Sequence, residues 1–426
     1  MRIHTVQSGD SVYAIARQYN VPMERIISDN ELTDPSRLVV GQTLVIRQPT
    51  QYHIVEPGES LPSIAAKYGM TTTQLLQLNP ALNGLPMISP GQVLIIGLDQ
   101  MKQGDLAVNA YAYPGIDRDT LRKTLPYLTY LSLFSYGFTP EGDLLSIPDD
   151  ELIQLARDYG VAPIMVLTTL GEDGTFSPER AHALLNDPAA QTRLIENLAR
   201  TLQAKGYHGV DFDFEYIPAE DKDAYAEFIQ NATNRMNQLG LEVMVSLAPK
   251  TSANQPGLLY EAHDYSALGN AANDALIMTY EWGYSRGDPQ PVAPINKVRQ
   301  VIDYAKTEIP ANKIMMGIPN YGYNWTLPYV PGQSVARSLS NTEAVQEALQ
   351  NNAAIVYDWT VQSPGYTYWR DRAQHQVWFE DARSMRAKLD LAAEEGLRGV
   401  NIWTIMNYFP QLFLVLSSLY NIKKVE

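Results

Sequence analysis

The sequence predicts two small α+β modules of strand–helix–helix–strand type, followed by an α/β (β/α)8 barrel with a small α+β insertion after its seventh strand. Three observations predict this. The first hundred residues repeat themselves at an offset of 49, and of 50 after one inserted residue. From residue 104 onward, apolar strand-like runs alternate eight times with amphipathic helical stretches, the pattern of a parallel sheet closed into a barrel. The segment 104–426 exceeds the ~250 residues such a barrel needs, so it carries an excursion.

The repeat comes first in the chain. His4-Thr5-Val6-Gln7-Ser8-Gly9-Asp10-Ser11 is echoed by His53-Ile54-Val55-Glu56-Pro57-Gly58-Glu59-Ser60. Ile15-Ala16, Tyr19 and Asn30 return as Ile64-Ala65, Tyr68 and Asn79, and Gly41-Gln42 returns as Gly91-Gln92. In each copy a Gly turn ends a strand, and an acid and a serine then suit a helix N-terminus. Val12, Ile15, Ala16 and Tyr19 share one helical face. These units, expected over 1–48 and 50–97, resemble the LysM module. The resemblance implies binding of N-acetylglucosamine glycans such as peptidoglycan or chitin. It puts the groove near Gly9, Asp10, Ser11 and Asn30 in the first copy, and near Gly58, Glu59, Ser60 and Asn79 in the second. Capping and turn formation explain the same residue types equally well. The short linkers, around Gln48-Pro49-Thr50 and 97–104, predict modules that move as tethered beads.

The barrel is expected over 104–426, with strands near 107–112, 130–135, 162–167, 209–214, 242–247, 275–280, 313–319 and 399–403. A stretch rich in Tyr, Gln, Asn and Pro, roughly 325–377, lacks the barrel repeat and is expected to be the insertion. Chemistry in such barrels sits at the C-terminal ends of the strands. Glu215, Tyr280, Glu281, Tyr321 and Trp403 all fall there.

The most informative run is Gly209-Val210-Asp211-Phe212-Asp213-Phe214-Glu215. Side chains alternate along a strand, so Asp211, Asp213 and Glu215 leave one face while Phe212 and Phe214 leave the other. Burying three carboxylates on one face is costly unless they have work to do. The acids share one strand, and no second strand end offers an obvious nucleophile for the two-carboxylate mechanism. The run resembles the Asp-Gly-x-Asp-x-Asp-x-Glu signature of glycoside hydrolase family 18, with His208 in place of the first Asp. Met278-Thr279-Tyr280-Glu281 is similar to the family's strand-six motif, with Glu281 replacing Asp. Asn320-Tyr321 and Trp403 match strands seven and eight. Leu167-Thr168-Thr169-Leu170 departs from the strand-three motif.

The resemblance implies retaining, substrate-assisted hydrolysis through an oxazolinium ion. Glu215 is then the acid, Asp213 and Asp211 support it, and Tyr280 orients the acetamido group. Trp403, Tyr321, Glu281, Met278, Asn320 and Trp282 are the expected substrate contacts. It implies no cofactor, and the six histidines show no metal-ligand spacing.

A net charge of −15 argues against a nucleic-acid partner. Residues 1–97 are nearly neutral, with six Lys/Arg against seven Asp/Glu, so the front of the chain can approach an anionic polymer. No apolar run approaches the ~20 residues of a membrane span, and no secretory signal pattern opens the sequence. With two LysM-like modules, the chain is similar to spore cortex-fragment-lytic enzymes. That similarity implies an N-acetylglucosaminidase acting on cortex peptidoglycan during germination. It also implies a spore location, at the coat–cortex boundary or exosporium, after synthesis in the mother cell. Spore coat proteins are implied partners, and a monomer is expected. A chitinase and a non-catalytic glycan-binding coat protein are the alternatives.

Overall fold

In each N-terminal repeat a strand, two helices and a second strand fold around a small apolar core. A computed structural model describes residues 1–171 and 174–425. In the first module the strands Arg2–Thr5 and Thr43–Ile46 pair antiparallel, flanking helices Val12–Tyr19 and Met23–Asp29. In the second, Pro49–Ile54 pairs with Val93–Leu98 around helices Leu61–Lys67 and Thr72–Leu78. Val12, Ile15, Ile26 and Leu44 fill one core, and Leu61, Ile64, Leu75 and Leu94 the other.

Eight parallel strands form the barrel: Gly104–Ala112, Tyr130–Phe138, Ala162–Thr168, Gly209–Asp213, Glu242–Leu247, Asp274–Ile277, Ile314–Pro319 and Gly399–Trp403. It closes because the first strand pairs with both the second and the eighth. Inward side chains, among them Ile164, Val166, Met244, Leu276 and Met315, pack the lumen. Outward ones meet the helices; Phe212 and Phe214 pack against Phe228 and Tyr225 of helix Lys222–Asn237. This alternation leaves the odd-numbered residues of strand four to face the lumen.

The insertion is an antiparallel sheet in the order Arg337–Leu339, Gly322–Leu327, Ala373–Trp378, Ser363–Arg370, Val356–Asp358. Helix Asn341–Gln350 covers one face, and Tyr366, Tyr368 and Val377 pack beneath it. The sheet starts at Gly322, directly after strand seven.

The modules do not move as tethered beads; both are docked. Arg47 is buried, paired with Asp29 of its own module, and donates to the Gln77 and Leu78 carbonyls of the second. The Thr43 hydroxyl donates to Gln411 of the barrel at 2.7 Å, and Val39 joins the core of the insertion. The Ile355 N–H donates to the Val40 carbonyl at 2.9 Å. The second module is held by Tyr159, whose hydroxyl donates to the Gly84 carbonyl, and by Gln77, which donates to the Pro126 carbonyl, both at 2.7 Å. A buried guanidinium needs partners on every side, and those partners come from separate units. Among the described residues no helix is long and apolar enough to cross a membrane.

Candidate active site

At the C-terminal mouth of the barrel, a cleft of about 450 Å³ opens over the end of strand four. Glu215, Asp213, Tyr280, Glu281, Met278 and Trp403 line it, together with Tyr111, Phe134 and Ser246.

Asp211 is fully buried. It accepts a hydrogen bond from the Tyr111 hydroxyl at 2.5 Å and another from the Ser246 hydroxyl at 3.1 Å. Burial pushes its carboxyl up to about 6, and these two donors limit the rise. Asp213 is buried beside it, and one carboxylate oxygen, Oδ1, has no hydrogen-bond partner among the described residues. Burial first, then the charges of Glu215 and Asp211, hold its proton well above the usual carboxylate range. Glu215 remains partly accessible yet deep enough for desolvation to dominate. Its carboxyl is pushed up to about 7, with Glu281 adding to the rise. Three acids with displaced protons around one space can hold and deliver a proton near neutral pH.

Tyr280 is buried against the cleft, its phenol raised by burial and by the charge of Asp213. Trp403 meets Phe134 and Tyr111 edge-on, at 5.0 and 5.2 Å between ring centroids, so neighbouring rings fix its orientation.

Other expected contacts sit elsewhere. Tyr321 does not line the cleft; its hydroxyl donates to Glu281, which also accepts from Tyr323 at 3.1 Å. Asn320 is buried and donates to the Thr404 and Asn407 carbonyls, both at 2.9 Å. It therefore braces the ends of strands seven and eight rather than facing substrate. Trp282 packs against the barrel core outside the cleft lining.

The module residues divide between buried and exposed positions. Asn30 and Asn79 tie their own modules together internally. Each is buried, donates to two carbonyls and accepts one backbone N–H, at 2.7 Å from Val45 and Ile95 respectively. Asp10 and Glu59 each accept a backbone N–H at 2.8 Å and contact His4 and His53. Ser11 and Ser60 cap helices, and Gly9 and Gly58 adopt φ of +90° and +89° in turns. Gly9, Ser11, Gly58 and Ser60 stay exposed on the module surface.

Sequence reasoning missed Tyr111, Ser246 and His263. His263 is buried between strand ends. Its Nδ1 accepts the Ala248 N–H at 2.8 Å, which leaves the Nε2 proton to donate to the Phe214 carbonyl at 3.0 Å. The ring is therefore neutral, and burial lowers its pKa to about 4. It anchors the residue next to Glu215. The unusual strand three supplies Thr168, level with Asp213 across the ladder.

The family model for glycosyl hydrolases family 18 matches residues 165–407. The chain belongs to glycosyl hydrolases family 18. The LysM domain model matches 4–47 and 53–97. The chain is 41% identical to the cortical fragment-lytic enzyme of Bacillus subtilis, over 100% of this chain and 99% of that one. It superposes on the spore cortex-lytic enzyme SleL of Bacillus megaterium with a TM-score of 0.84 and 37% identity, covering 100% and 99% of the two chains. A chitinase from Chromobacterium violaceum matches 74% of this chain and 98% of its own, with a TM-score of 0.68 and 26% identity. The family 18 chain is thus a glycoside hydrolase built on a (β/α)8 barrel, with two LysM modules ahead of it.

Proposed function

We propose that this chain is a β-N-acetylglucosaminidase that cleaves spore cortex peptidoglycan during germination, with retention, through an oxazolinium intermediate. The observation that carries the chemistry is the cluster itself: one partly accessible, protonated carboxyl at Glu215, backed by a buried pair with an unpartnered acceptor on Asp213. Full-length similarity to cortical fragment-lytic enzymes, modules included, supports the substrate and a spore location.

Glu215 protonates the glycosidic oxygen as the C1–O bond breaks. The acetamido carbonyl oxygen of the same sugar attacks C1 and closes the oxazolinium ring. Asp213 Oδ1 accepts the acetamido N–H, and the proton it held passes to Asp211, where Tyr111 and Ser246 steady the new arrangement. The pair keeps one proton and one negative charge, and that charge faces the developing cation. Tyr280 donates to the acetamido oxygen, and Trp403 carries the apolar sugar face. Water then opens the ring with Glu215 as base. The LysM modules add binding of N-acetylglucosamine glycan.

Mass spectrometry of products from purified cortex tests the bond and the substrate together. Retained anomers ending in N-acetylglucosamine, and tight inhibition by thiazoline mimics of the cyclic ion, are the expected results. Inverted anomers, or turnover of chitin oligomers without turnover of cortex, would replace the proposal.

A further inference from the structure

Beside the catalytic cleft, a second cavity of about 440 Å³ lies behind the loop that follows strand five. One loop walls both spaces. Pro249 and Tyr260 line the cleft, while their chain neighbours Lys250 and Glu261 line the second cavity. Consecutive Cα atoms are ~3.8 Å apart, so the partition is about one chain thick at both places. The loop is laced to itself: Gln255 accepts the Thr251 N–H at 2.8 Å, and Glu261 accepts the Gly257 N–H at 3.0 Å.

This cavity carries a buried cation. Lys250 is 2% exposed. Its ammonium donates to the His263 carbonyl at 2.9 Å and forms no ion pair among the described residues. An ammonium has three donors, so two remain. A buried charge held by a single hydrogen bond is costly until a group of opposite charge joins it. Burial holds the Lys250 pKa below the usual lysine range, against the charges of Asp264, Glu261 and Glu308. Around that cation the charges are mixed. Lys222 pairs with Asp264 at 3.6 Å, and Glu261 and Glu308 complete the charged lining. Tyr265 and Tyr304, stacked with ring centroids 5.3 Å apart, give an apolar wall. A simple anion that reached Lys250 would face three carboxylates, and a simple cation would have Lys250 at its back. A group that carries both charges meets a complement for each.

We infer that this cavity seats a peptide residue bearing a free carboxylate and a free ammonium, on a stem that branches from the glycan held in the cleft. The inference rests on the proposed peptidoglycan substrate and adds its peptide to what the enzyme recognises. The carboxylate meets Lys250 and Lys222, the ammonium meets Glu261 and Glu308, and the aliphatic part lies on the Tyr265–Tyr304 wall. A four-residue stem spans up to roughly 14 Å, enough to pass a partition one chain thick.

Two measurements on the full chain test this. The first is calorimetry on Glu215→Gln protein with the free tetrapeptide of cortex. Control peptides have their ammonium groups acetylated or their carboxylates amidated. The tetrapeptide is expected to bind at one site, and each blocked form about tenfold or more weakly, because each loses charge-assisted hydrogen bonds. Lys250→Met and Glu308→Gln, added separately, should weaken binding by a similar factor. Glu308 sits at the end of helix Ile295–Glu308, so its variant reads the site even where loss of Lys250 disturbs the loop. In the second measurement, active enzyme cleaves cortex strands that keep their peptides and strands stripped of them. KM on peptide-bearing strands should be about three- to tenfold lower, and Glu308→Gln should erase that difference without moving the stripped-strand constants.

No binding of the tetrapeptide, or equal binding of its blocked forms, overturns the inference. Equal KM on both kinds of strand does the same, and would leave the cavity to free peptide in solution. If the active enzyme cleaves neither kind of strand, the proposed function fails, whereas calorimetry on the inactive protein still decides what the cavity binds.

Discussion

Replacing Tyr111 with Phe removes one oxygen from the site and leaves the ring packed against Trp403. That oxygen donates the 2.5 Å hydrogen bond to Asp211, which favours the ionised form. A hydrogen bond to a charged group contributes ~1.5–3 kcal/mol, and ~1.36 kcal/mol moves a pKa by one, so the acid limb of kcat/KM should rise by about 1–2 pH units. In the parent enzyme the active form has Asp211 ionised, with an acid limb at about 6, and Glu215 protonated, with an alkaline limb at about 7. Raising the first limb past the second leaves little active form between them. At pH 6.5 the variant should lose about three- to twentyfold of kcat/KM, and the two enzymes should converge near pH 8, where Glu215 limits both. The assay is initial-rate hydrolysis of a soluble cortex fragment from pH 5 to 8.5. A loss of the same factor at every pH would refute the reasoning, because Tyr111 would then act by some route other than the proton on Asp211.

Glu215→Gln should abolish turnover yet stabilise the fold. The raised carboxyl binds its proton more tightly in the folded state, so stability is lost as pH rises from the unfolded value near 4.5 to about 7, and Gln removes that loss. Thermal melts of the two proteins should coincide near pH 4 and diverge by up to about 3 kcal/mol by pH 7.5. His263→Ala leaves the Ala248 N–H and the Phe214 carbonyl unpaired, which should cost about 2–4 kcal/mol in chemical denaturation and lower kcat. The parent ring is neutral, so its stabilising contribution is full above 6.5 and is lost as pH falls toward about 4; the variant should lack that acid-side slope. Gly41 and Gly91 hold the same turn at φ +86°, but only Gly41 abuts the Ile355 backbone. Gly41→Ala should therefore release the first module, seen as expansion in small-angle scattering, whereas Gly91→Ala should cost only local turn strain.

Much of this molecule is legible in its sequence because the signals are local. The repeat of His4–Ser11 at His53–Ser60 and the alternation of Asp211 with Phe212 each encode their structure within a few residues. The carboxylate trio follows from strand periodicity alone. Asn30 and Asn79 show where locality ends. An asparagine at a helix end is equally suited to touching a sugar or to lacing its own loop, and only the burial of its amide decides. Tyr111 and Ser246 were hidden for a related reason: each is an ordinary strand residue until closure of the barrel brings strands one and five toward the acid on strand four. Trp282 is the reverse case, an aromatic beside a catalytic motif that turns toward the core. The docking of the modules was invisible because Arg47, Gln411 and Tyr159 read as surface polar residues, and their partners lie in distant parts of the chain.

That docking has a consequence for how the enzyme works along a polymer. Modules on loose cords would let the blade swing over any bond within reach. Here Val39, Thr43 and Gln77 clamp the grips to the frame while Arg47 ties the two grips together, so hand and blade keep one fixed gauge. A chain held by the grips is offered to the cutting edge in a single phase, and the machine must step bodily to reach the next bond. Lengthening the 97–104 segment should not alter that gauge until the clamps themselves are undone.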